Sequence, residues 1–114
     1  MSTQPDCIFC KIVAGELPAS IVYQDAQMVV FRDIAPKAEV HLLAIPRKHI
    51  ASLDDLAAND AELIAHMMLK LPELAREQGL TDGYRTIINT GAGGGQVVFH
   101  LHIHLLGGKR LPGF

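Results

Sequence analysis

The chain has 114 residues and a formal net charge of −2 at pH 7, and 49% of its residues are apolar. This length predicts a single domain, residues 1–114, with one small hydrophobic core. The near-neutral charge and the lack of a Lys or Arg block argue against a nucleic-acid partner, although backbone N–H groups can still hold a small phosphate ligand. No run of roughly 18 apolar residues predicts a membrane span. No basic segment followed by an apolar stretch opens the chain, so we expect a cytoplasmic protein.

The first part of the chain predicts one short helix and three strands. Apolar residues at helical spacing predict the helix over residues 7–14. Residues 21–24 and 28–32 predict two strands joined as a hairpin. Residues 41–45 predict a third strand, which Pro46 stops.

The long helix is the clearest predicted element. We expect Asn59 to cap it, with Glu62 as the reciprocal partner, and Gly79 to end it. Its polar residues form one stripe about 80° wide on a helical wheel, so most of its surface is apolar. We therefore predict that its own sheet covers one side and a second subunit the other. Pro72, inside the helix, is expected to kink it.

The last third of the chain predicts two strands separated by a glycine-rich loop. The fourth strand is expected over residues 84–89 and the fifth over residues 97–106. In the loop between them, residues 91–96, the glycines let backbone N–H groups approach a ligand closely. Five strands with helices between them predict an α+β fold with a mainly antiparallel sheet, one long helix and one short helix.

Three histidines alternate with apolar residues in the predicted fifth strand. Because side chains in a strand alternate between faces, we expect His100, His102 and His104 on one face. Metal binding or simple solvation accounts for such a row about as well as catalysis does. The neighbouring glycine-rich loop and the packed apolar residues favour phosphate chemistry. Imidazole is a competent phosphoryl nucleophile, and His102 is flanked on both sides, so we predict His102 as the nucleophile.

Residues 100–106, His-Leu-His-Ile-His-Leu-Leu, resemble the signature of the histidine triad (HIT) family. Residues 8–12, 31–36, 41–50 and 94–96 resemble the Hint branch of that family, the purine nucleoside phosphoramidases. The resemblance implies a homodimer in which two five-stranded sheets join across the axis. The long helix and the fourth strand would lie at this interface.

The resemblance also implies a reaction, hydrolysis of the P–N bond of purine nucleoside 5′-phosphoramidates without a catalytic cofactor. His102 would attack the α-phosphorus and form a nucleotidyl-histidine intermediate, from which water would release AMP or GMP. His104 would stabilise the charge on the phosphate oxygens. Asn89 would lie close to the scissile group, and His100 would complete the triad.

The implied nucleotide site draws on the whole chain. Asp33 would bind the ribose hydroxyls, and His41 would support the triad. The implied nucleotide-binding residues are Ile8, Phe9, Phe31, Asp33, Ile34, His41, Asn89, Gly95, Gln96, Val97, His102 and His104. Many Hint proteins have Ser or Thr where this chain has Val97, so a phosphate contact there would come from the backbone N–H.

Cys7 and Cys10 form a C-x-x-C pair, which taken alone fits two partly buried thiols as well as a metal site. Some branches of the superfamily bind zinc through such a pair, a histidine after the third strand and the first triad histidine. The resemblance therefore implies a zinc site of Cys7, Cys10, His49 and His100. Two thiolates and two imidazoles form a closed set, so we expect a structural zinc ion.

Two other functions stay open. One is a nucleotide-binding regulatory module with vestigial catalysis, which Val97 slightly favours. The other is a dinucleoside polyphosphate hydrolase, as in the Fhit branch, against which residues 94–96 and their spacing from Asn89 argue.

Overall fold

The computed structural model describes residue 4 and residues 6–113. The elements are α1 (Ile8–Val13), β1 (Ile21–Gln24), β2 (Met28–Arg32), β3 (Val40–Pro46), α2 (Ala61–Glu77), β4 (Arg85–Ile87) and β5 (Ile103–Gly107). Within these described residues, the strands form one antiparallel sheet in the order β1-β2-β3-β5-β4. The predicted α+β fold with an antiparallel sheet is confirmed.

The prediction that no export signal opens the chain concerns residues that, apart from Gln4, lie outside the described part. Among the helices in the described part, none has the length and hydropathy of a membrane span. The cytoplasmic location and the lack of a nucleic-acid partner stay predictions.

Each face of the sheet packs its own hydrophobic cluster, because successive side chains of a strand point to opposite faces. The cluster under α2 contains Met28, Val30, Leu42, Ala44, Met67, Leu71, Leu74, Ala75, Leu80, Ile103 and Leu105. The cluster under α1 contains Phe9, Ile12, Val29, Phe31, Leu43 and Ile45. In the β3–β5 register Leu43 is paired with His104, and His41 lies two residues before Leu43. His41 and His104 therefore lie on the face that α1 covers only in part.

The predicted strands of the hairpin match β1 and β2, and β3 extends one residue beyond the prediction at each end. The fourth strand is shorter than the predicted residues 84–89. The prediction of the fifth strand is wrong over its first half, since β5 begins at Ile103 and not at Val97.

The end of β3 explains why β5 begins late. Pro46, the last residue of β3, has no N–H to give to a sheet ladder. Its carbonyl accepts a hydrogen bond from His100 Nε2 at 2.8 Å, so a side chain takes the place of a strand partner. Further on, the N–H of Leu101 donates to the carbonyl of Ile50 at 2.7 Å. Of the three triad histidines, only His104 lies in β5, so strand alternation sets the direction of His104 only. The preceding segment, which carries His100 and His102, is held by these two hydrogen bonds instead.

The start of α2 also differs from the prediction. Asn59 lies in a short 3-10 turn, Ala58–Asp60, and Asp60 occupies the N-cap position. The buried carboxylate of Asp60 accepts the backbone N–H of Ala57 at 2.9 Å and the ammonium of Lys48 at 2.6 Å. The Asp60 side chain thus closes the turn before the helix. The prediction of Asn59 as the cap is wrong.

The end and the inner face of α2 agree with the sequence pattern. Gly79 has φ +80°, a left-handed conformation that ends a helix readily. Met67 and Leu74 are fully buried against the sheet. On the outer side Met68 is 44% exposed and Leu69 is 73% exposed. Within one chain the sheet covers one of the two predicted sides, and the other is open.

A polar cluster ties α2 to the β1–β2 hairpin. The carboxylate of Asp25 accepts hydrogen bonds from the Tyr23 hydroxyl and from His66 Nε2, each at 2.6 Å. It also accepts the backbone N–H groups of Gln27 at 2.8 Å and Met28 at 2.9 Å. Partial burial raises the pKa of Asp25, but these hydrogen bonds outweigh it and hold the pKa well below its ordinary value. The ionised carboxylate therefore stabilises the fold.

We expect Asp25→Asn to lower the free energy of unfolding at pH 7 by about 2 kcal/mol, because hydrogen bonds to a charged acceptor are lost. Because the pKa of Asp25 is lower in the folded state than its unfolded value of about 4, its ionisation stabilises the fold fully above pH 4, and this contribution declines as the pH falls from there through the folded-state pKa. Urea unfolding at pH 7 and pH 3 measures the effect, with the exposed Asp82→Asn as control. An Asp25→Asn effect equal at both pH values would contradict this assignment.

Candidate functional site

His102 is held with one ring nitrogen free. Its Nδ1 lies 2.7 Å from the carbonyl oxygen of His100. Because a carbonyl oxygen can only accept, Nδ1 carries the proton of the neutral ring and Nε2 keeps its lone pair. The ring also packs edge-on against Phe9, with centroids 5.2 Å apart. An unprotonated nitrogen on a fixed ring is what a phosphoryl nucleophile requires.

Two successive hydrogen bonds, from Lys37 to His41 and from His41 to His104, fix the opposite tautomer in His104. The backbone N–H of Lys37 donates to His41 Nδ1 at 3.0 Å, so the neutral His41 ring carries its proton on Nε2. That Nε2–H donates to His104 Nδ1 at 2.9 Å. His104 then carries its own proton on Nε2 and is a donor. With ring centroids 5.0 Å apart, the His104 ring lies beside the His102 ring.

Burial keeps the supporting histidines neutral. Desolvation is the main cause that lowers the pKa of His104 to about 4, and the nearby His102 and His41 add to it. Desolvation also lowers the pKa of His41, while Asp33, whose Oδ2 lies 3.4 Å from His41 Nε2, opposes the shift. Both rings are neutral near pH 7, so the hydrogen-bond chain keeps its direction.

The two aromatic neighbours of the His102 ring, Phe9 and His104, line two different cavities. The first, the Phe9 cavity, has a volume of about 480 Å³, and its lining includes Ile8, Phe9, Phe31, Asp33 and Ile34. The second, the His104 cavity, has a volume of about 390 Å³, and its lining includes Lys37, His41, Asn89, Gly95, Val97 and His104. The His102 ring contacts Phe9 on one side and stands beside His104 on the other.

The predicted base and ribose residues thus line one cavity, and the predicted residues His41, Asn89, Gly95, Val97 and His104 line the other. The predicted residues Gln96 and His102 line neither cavity. The sequence reasoning missed Lys37, Ile87 and Leu106 in the His104 cavity. Strand alternation gave a signal for two of them, since Ile87 precedes Asn89 by two residues and Leu106 follows His104 by two. For Lys37 the sequence offered no signal beyond its closeness to His41.

The glycine-rich loop is closed by Gln96. Its Oε1 accepts the N–H of Gly91 at 2.9 Å, and its Nε2 donates to the carbonyls of Ala51 at 2.8 Å and Val98 at 3.1 Å. Gln96 is buried, and its own backbone N–H donates to Gly91 at 3.0 Å. The side-chain amide of Gln96 is therefore engaged within the protein and holds together the loop that borders the His104 cavity.

Asn89 is anchored to the same loop. Its Nδ2 donates to the carbonyl of Gly94 at 2.8 Å. Gly95 has φ +88°, and a Cβ at this position would lie 3.5 Å from Asn89 Nδ2. The loop thus needs glycine for its backbone conformation more than for space. Val97, at the end of the loop, is 86% exposed.

Cys7, Cys10, His49 and His100 form a second cluster, whose ligand atoms all lie within 4.8 Å of one another. The Sγ of Cys7 lies 3.3 Å from His100 Nδ1, and the Sγ of Cys10 lies 3.3 Å from His49 Nδ1. The bond from His100 Nε2 to the Pro46 carbonyl leaves the lone pair of Nδ1 facing the thiols. Zinc bonds of about 2.0–2.3 Å put tetrahedral ligand atoms about 3.3–3.8 Å apart, so the donor set fits this metal.

Asp33, His41 and His104 also lie within 4.8 Å of one another. Metal binding would require lone pairs on His41 Nε2 and His104 Nδ1. The N–H of Lys37 points at His41 Nδ1 and holds the proton on Nε2 instead. This group is therefore a hydrogen-bond relay.

Comparison with known proteins places the chain in a family. The family model described as "Scavenger mRNA decapping enzyme C-term binding" matches residues 6–112. Protein HitA of Neisseria gonorrhoeae is 58% identical over 102 residues, which cover 90% of this chain and 95% of that protein.

Two solved structures are similar to this chain both in sequence and in fold. A HIT family hydrolase from Legionella pneumophila is 47% identical with a TM-score of 0.92, over 94% of this chain and 96% of that one. A histidine triad protein from Clostridium difficile is 41% identical with a TM-score of 0.95, over 99% of each chain.

Two further solved structures have names that mention a ligand. A histidine triad nucleotide-binding protein from Candida albicans is 34% identical with a TM-score of 0.81, over 88% of this chain and 73% of that one. A zinc-bound histidine triad family protein from Mycobacterium smegmatis is 35% identical with a TM-score of 0.79, over 91% and 76%. With a family model over nearly its whole length and relatives of this similarity, the chain belongs to the histidine triad (HIT) family.

Proposed function

We propose that the protein is a Hint-type hydrolase that cleaves the P–N bond of purine nucleoside 5′-phosphoramidates through His102. The observation that carries this proposal is the pair of opposite tautomers, a free Nε2 on His102 and an Nε2–H donor on His104. The names of the Legionella hydrolase and the Candida nucleotide-binding protein support a hydrolase that acts on a nucleotide.

In the proposed reaction, the lone pair of His102 Nε2 attacks the α-phosphorus. The electron pair of the P–N bond stays on the leaving nitrogen, which takes up a proton from solvent and departs as the amine. The Nε2–H of His104 donates to a phosphate oxygen and stabilises the charge of the transition state. Water then attacks the phosphorus of the nucleotidyl-histidine, frees the ring and releases the nucleoside monophosphate.

The two cavities suggest how the substrate lies. The base would occupy the Phe9 cavity, where Phe9 and Phe31 offer aromatic surface. Asp33 lines the same cavity on the side of His41, and we assign it to the ribose hydroxyls. The α-phosphate would then sit at His102, with the Asn89 side chain and the loop beside it in the His104 cavity.

Release of AMP from adenosine 5′-phosphoramidate, followed by chromatography, tests the proposed activity. A diadenosine polyphosphate serves as the parallel substrate for the Fhit-type alternative. Tight AMP binding without turnover of either compound would instead favour the regulatory nucleotide-binding module.

We also propose that Cys7, Cys10, His49 and His100 hold a structural zinc ion. The zinc-bound relative from Mycobacterium smegmatis and the ligand spacing support this. Bound zinc would cross-link the start of α1 to the segment after β3 and to the segment that carries His102. With all four ligand positions filled by protein, its contribution is structural.

We further propose that two chains associate through α2 and β4. The exposed Leu69 and Met68 make the outer side of α2 apolar, and β4 lies at one end of the sheet, where no strand of the described residues pairs with its outer edge. Covering both would bury apolar surface and complete the strand's hydrogen bonds.

We expect the protein to sediment at twice the mass of one chain, and Leu69→Glu to shift it to one chain mass, because a charge would be buried at the interface. Glu77→Lys, which changes an exposed polar position of the same helix, is the matched control. Sedimentation of the unmodified protein at one chain mass over micromolar concentrations would contradict the dimer.

A further inference from the structure

The two cysteines lie close enough to react with each other. The Sγ of Cys7 is 3.3 Å and the Sγ of Cys10 is 3.6 Å from the same ring nitrogen, His100 Nδ1. The backbone N–H of Cys10 also donates to the Sγ of Cys7 at 3.3 Å. The two sulfur atoms therefore lie within 4.8 Å of each other, and both residues are free thiols. A disulfide needs about 2 Å between the sulfurs, so a short approach of the two side chains would form one.

The two thiols differ in their access to solvent. Cys7 is half-buried, whereas Cys10 is only 4% exposed. A cavity of about 380 Å³ has Cys7 and His49 in its lining, together with Val98 and Phe99. A small solute such as a hydroperoxide can enter a space of this size. Because oxidation of a thiol depends on its exposure, Cys7 is the residue that such a solute meets first.

The segment between the cysteines belongs to the nucleotide site. Ile8 and Phe9 stand between Cys7 and Cys10, and both line the Phe9 cavity. The ring of Phe9 packs edge-on against His102, with centroids 5.2 Å apart. Zinc bonds of about 2.3 Å would hold the two sulfurs about 3.8 Å apart, whereas a disulfide holds them at about 2 Å. Formation of a disulfide therefore has to change the chain that carries Phe9.

We propose that Cys7 and Cys10 are an oxidative modification site, at which a hydroperoxide converts the two thiolates into a disulfide, releases zinc and weakens nucleotide binding. The release of zinc rests on the proposed zinc site, and the weaker binding rests on the proposed nucleotide site.

The oxidation takes two steps. The sulfur of Cys7 attacks an oxygen of the hydroperoxide, so that an S–O bond forms and the O–O bond breaks. The sulfur of Cys10 then attacks the sulfenic acid of Cys7, and the S–S bond forms as the S–O bond breaks. Each step expels a hydroxide or alkoxide ion, which takes a proton from solvent. The two electrons that the sulfurs lose pass to the hydroperoxide, and the zinc ion leaves because two of its four ligands are gone.

The test treats the reduced protein with hydrogen peroxide. Because the chain has only two cysteines, we expect the titratable thiols to fall from two to none, and the mass to fall by that of two hydrogen atoms. A metal-indicator dye should detect zinc at the same rate. The Kd for AMP, measured by calorimetry, should rise about fivefold, the size of a lost aromatic contact. Dithiothreitol with added zinc should restore all of these quantities, which separates the disulfide from methionine sulfoxide.

Two matched variants test the order of the steps. Cys10→Ser leaves Cys7 without a second thiol, so oxidation should stop at a sulfenic acid of Cys7, which dimedone traps. In Cys7→Ser the remaining thiol is buried, and its oxidation should be at least about tenfold slower. Equal rates in the two variants would overturn the assignment of Cys7 as the first residue attacked.

Three results would overturn the modification site itself. The first is survival of both thiols in peroxide that oxidises free cysteine. The second is a disulfide between two chains, seen as a doubled mass without reductant. The third is a disulfide within the chain that leaves the Kd for AMP unchanged.

Failure of the underlying proposals is seen separately. Reduced protein without zinc refutes the zinc site and the release step, while a thiol loss that raises the Kd for AMP still supports the modification site. Reduced protein that does not bind AMP refutes the nucleotide site, and thiol loss with release of zinc then still supports the oxidation.

Discussion

Replacement of His102 by alanine is expected to lower kcat/KM for adenosine 5′-phosphoramidate by about a thousandfold or more. The reason is that the variant loses the one nitrogen that forms the bond to phosphorus, and loss of a nucleophile removes most of an enzyme's rate enhancement. The free Nε2 of His102 depends on the bond from its Nδ1 to the His100 carbonyl, which alanine also removes. Steady-state release of AMP measures the effect.

The control has to separate lost chemistry from lost structure, because the ring of His102 packs on Phe9. The His102→Ala variant should still bind AMP and should unfold cooperatively, as measured by calorimetry. His66→Ala removes a histidine that lies outside the site, on α2, and should keep most of the turnover. Turnover that survives in a folded His102→Ala variant would refute the assignment of His102 as the nucleophile.

The second large effect is expected at the zinc cluster. Protein purified without added zinc should contain about one zinc ion per chain, and Cys10→Ser should contain close to none, because a serine hydroxyl replaces a thiolate ligand. Loss of the cross-link should lower the melting temperature by about 10 °C or more, since metal binding to a structural site contributes directly to folding. Metal analysis and calorimetry on the same samples measure both quantities.

A strong chelator should reproduce the Cys10→Ser melting temperature in the unmodified protein and should leave that of the variant unchanged. His41→Ala is the matched control, since it removes a buried histidine outside the cluster and should keep the zinc. Equal and near-zero zinc in the unmodified protein and in Cys10→Ser would exclude the metal site. The cluster would then be a set of partly buried thiols and imidazoles that pack without an ion.

Part of the site could be predicted because its residues follow each other in a short stretch of chain. The alternating histidines indicated the candidate site, and the spacing of the apolar residues gave β1 and β2 with their bounds. The same periodicity gave the wrong extent for β5, because alternation along residues 97–106 looks alike whether or not a partner strand continues. Pro46, which ends that partner, lies in another strand.

The capping of α2 failed for a related reason. The pattern around Asn59 and Glu62 fits a capping box, but Asp60 is held by Lys48 from a distant segment and closes a turn ahead of the helix. Helix propensity around Asn59 does not reveal the contact between Lys48 and Asp60, because the strength of an ion pair depends on which segments fold together.

By itself, the sequence determined the fold class through its periodicity and the family through its resemblance to the HIT signature, and it supplied the side chains that we propose for the chemistry. Only the tertiary structure distinguished the hydrogen-bonding states of the individual histidines. The carbonyls of His100 and Pro46 and the N–H of Lys37 set which ring nitrogen holds the proton. Backbone carbonyl and N–H groups are common to nearly all residues, so the sequence does not show which of them will contact a given ring. Their directions are fixed only when β3, the glycine-rich loop and the segment before β5 are packed together.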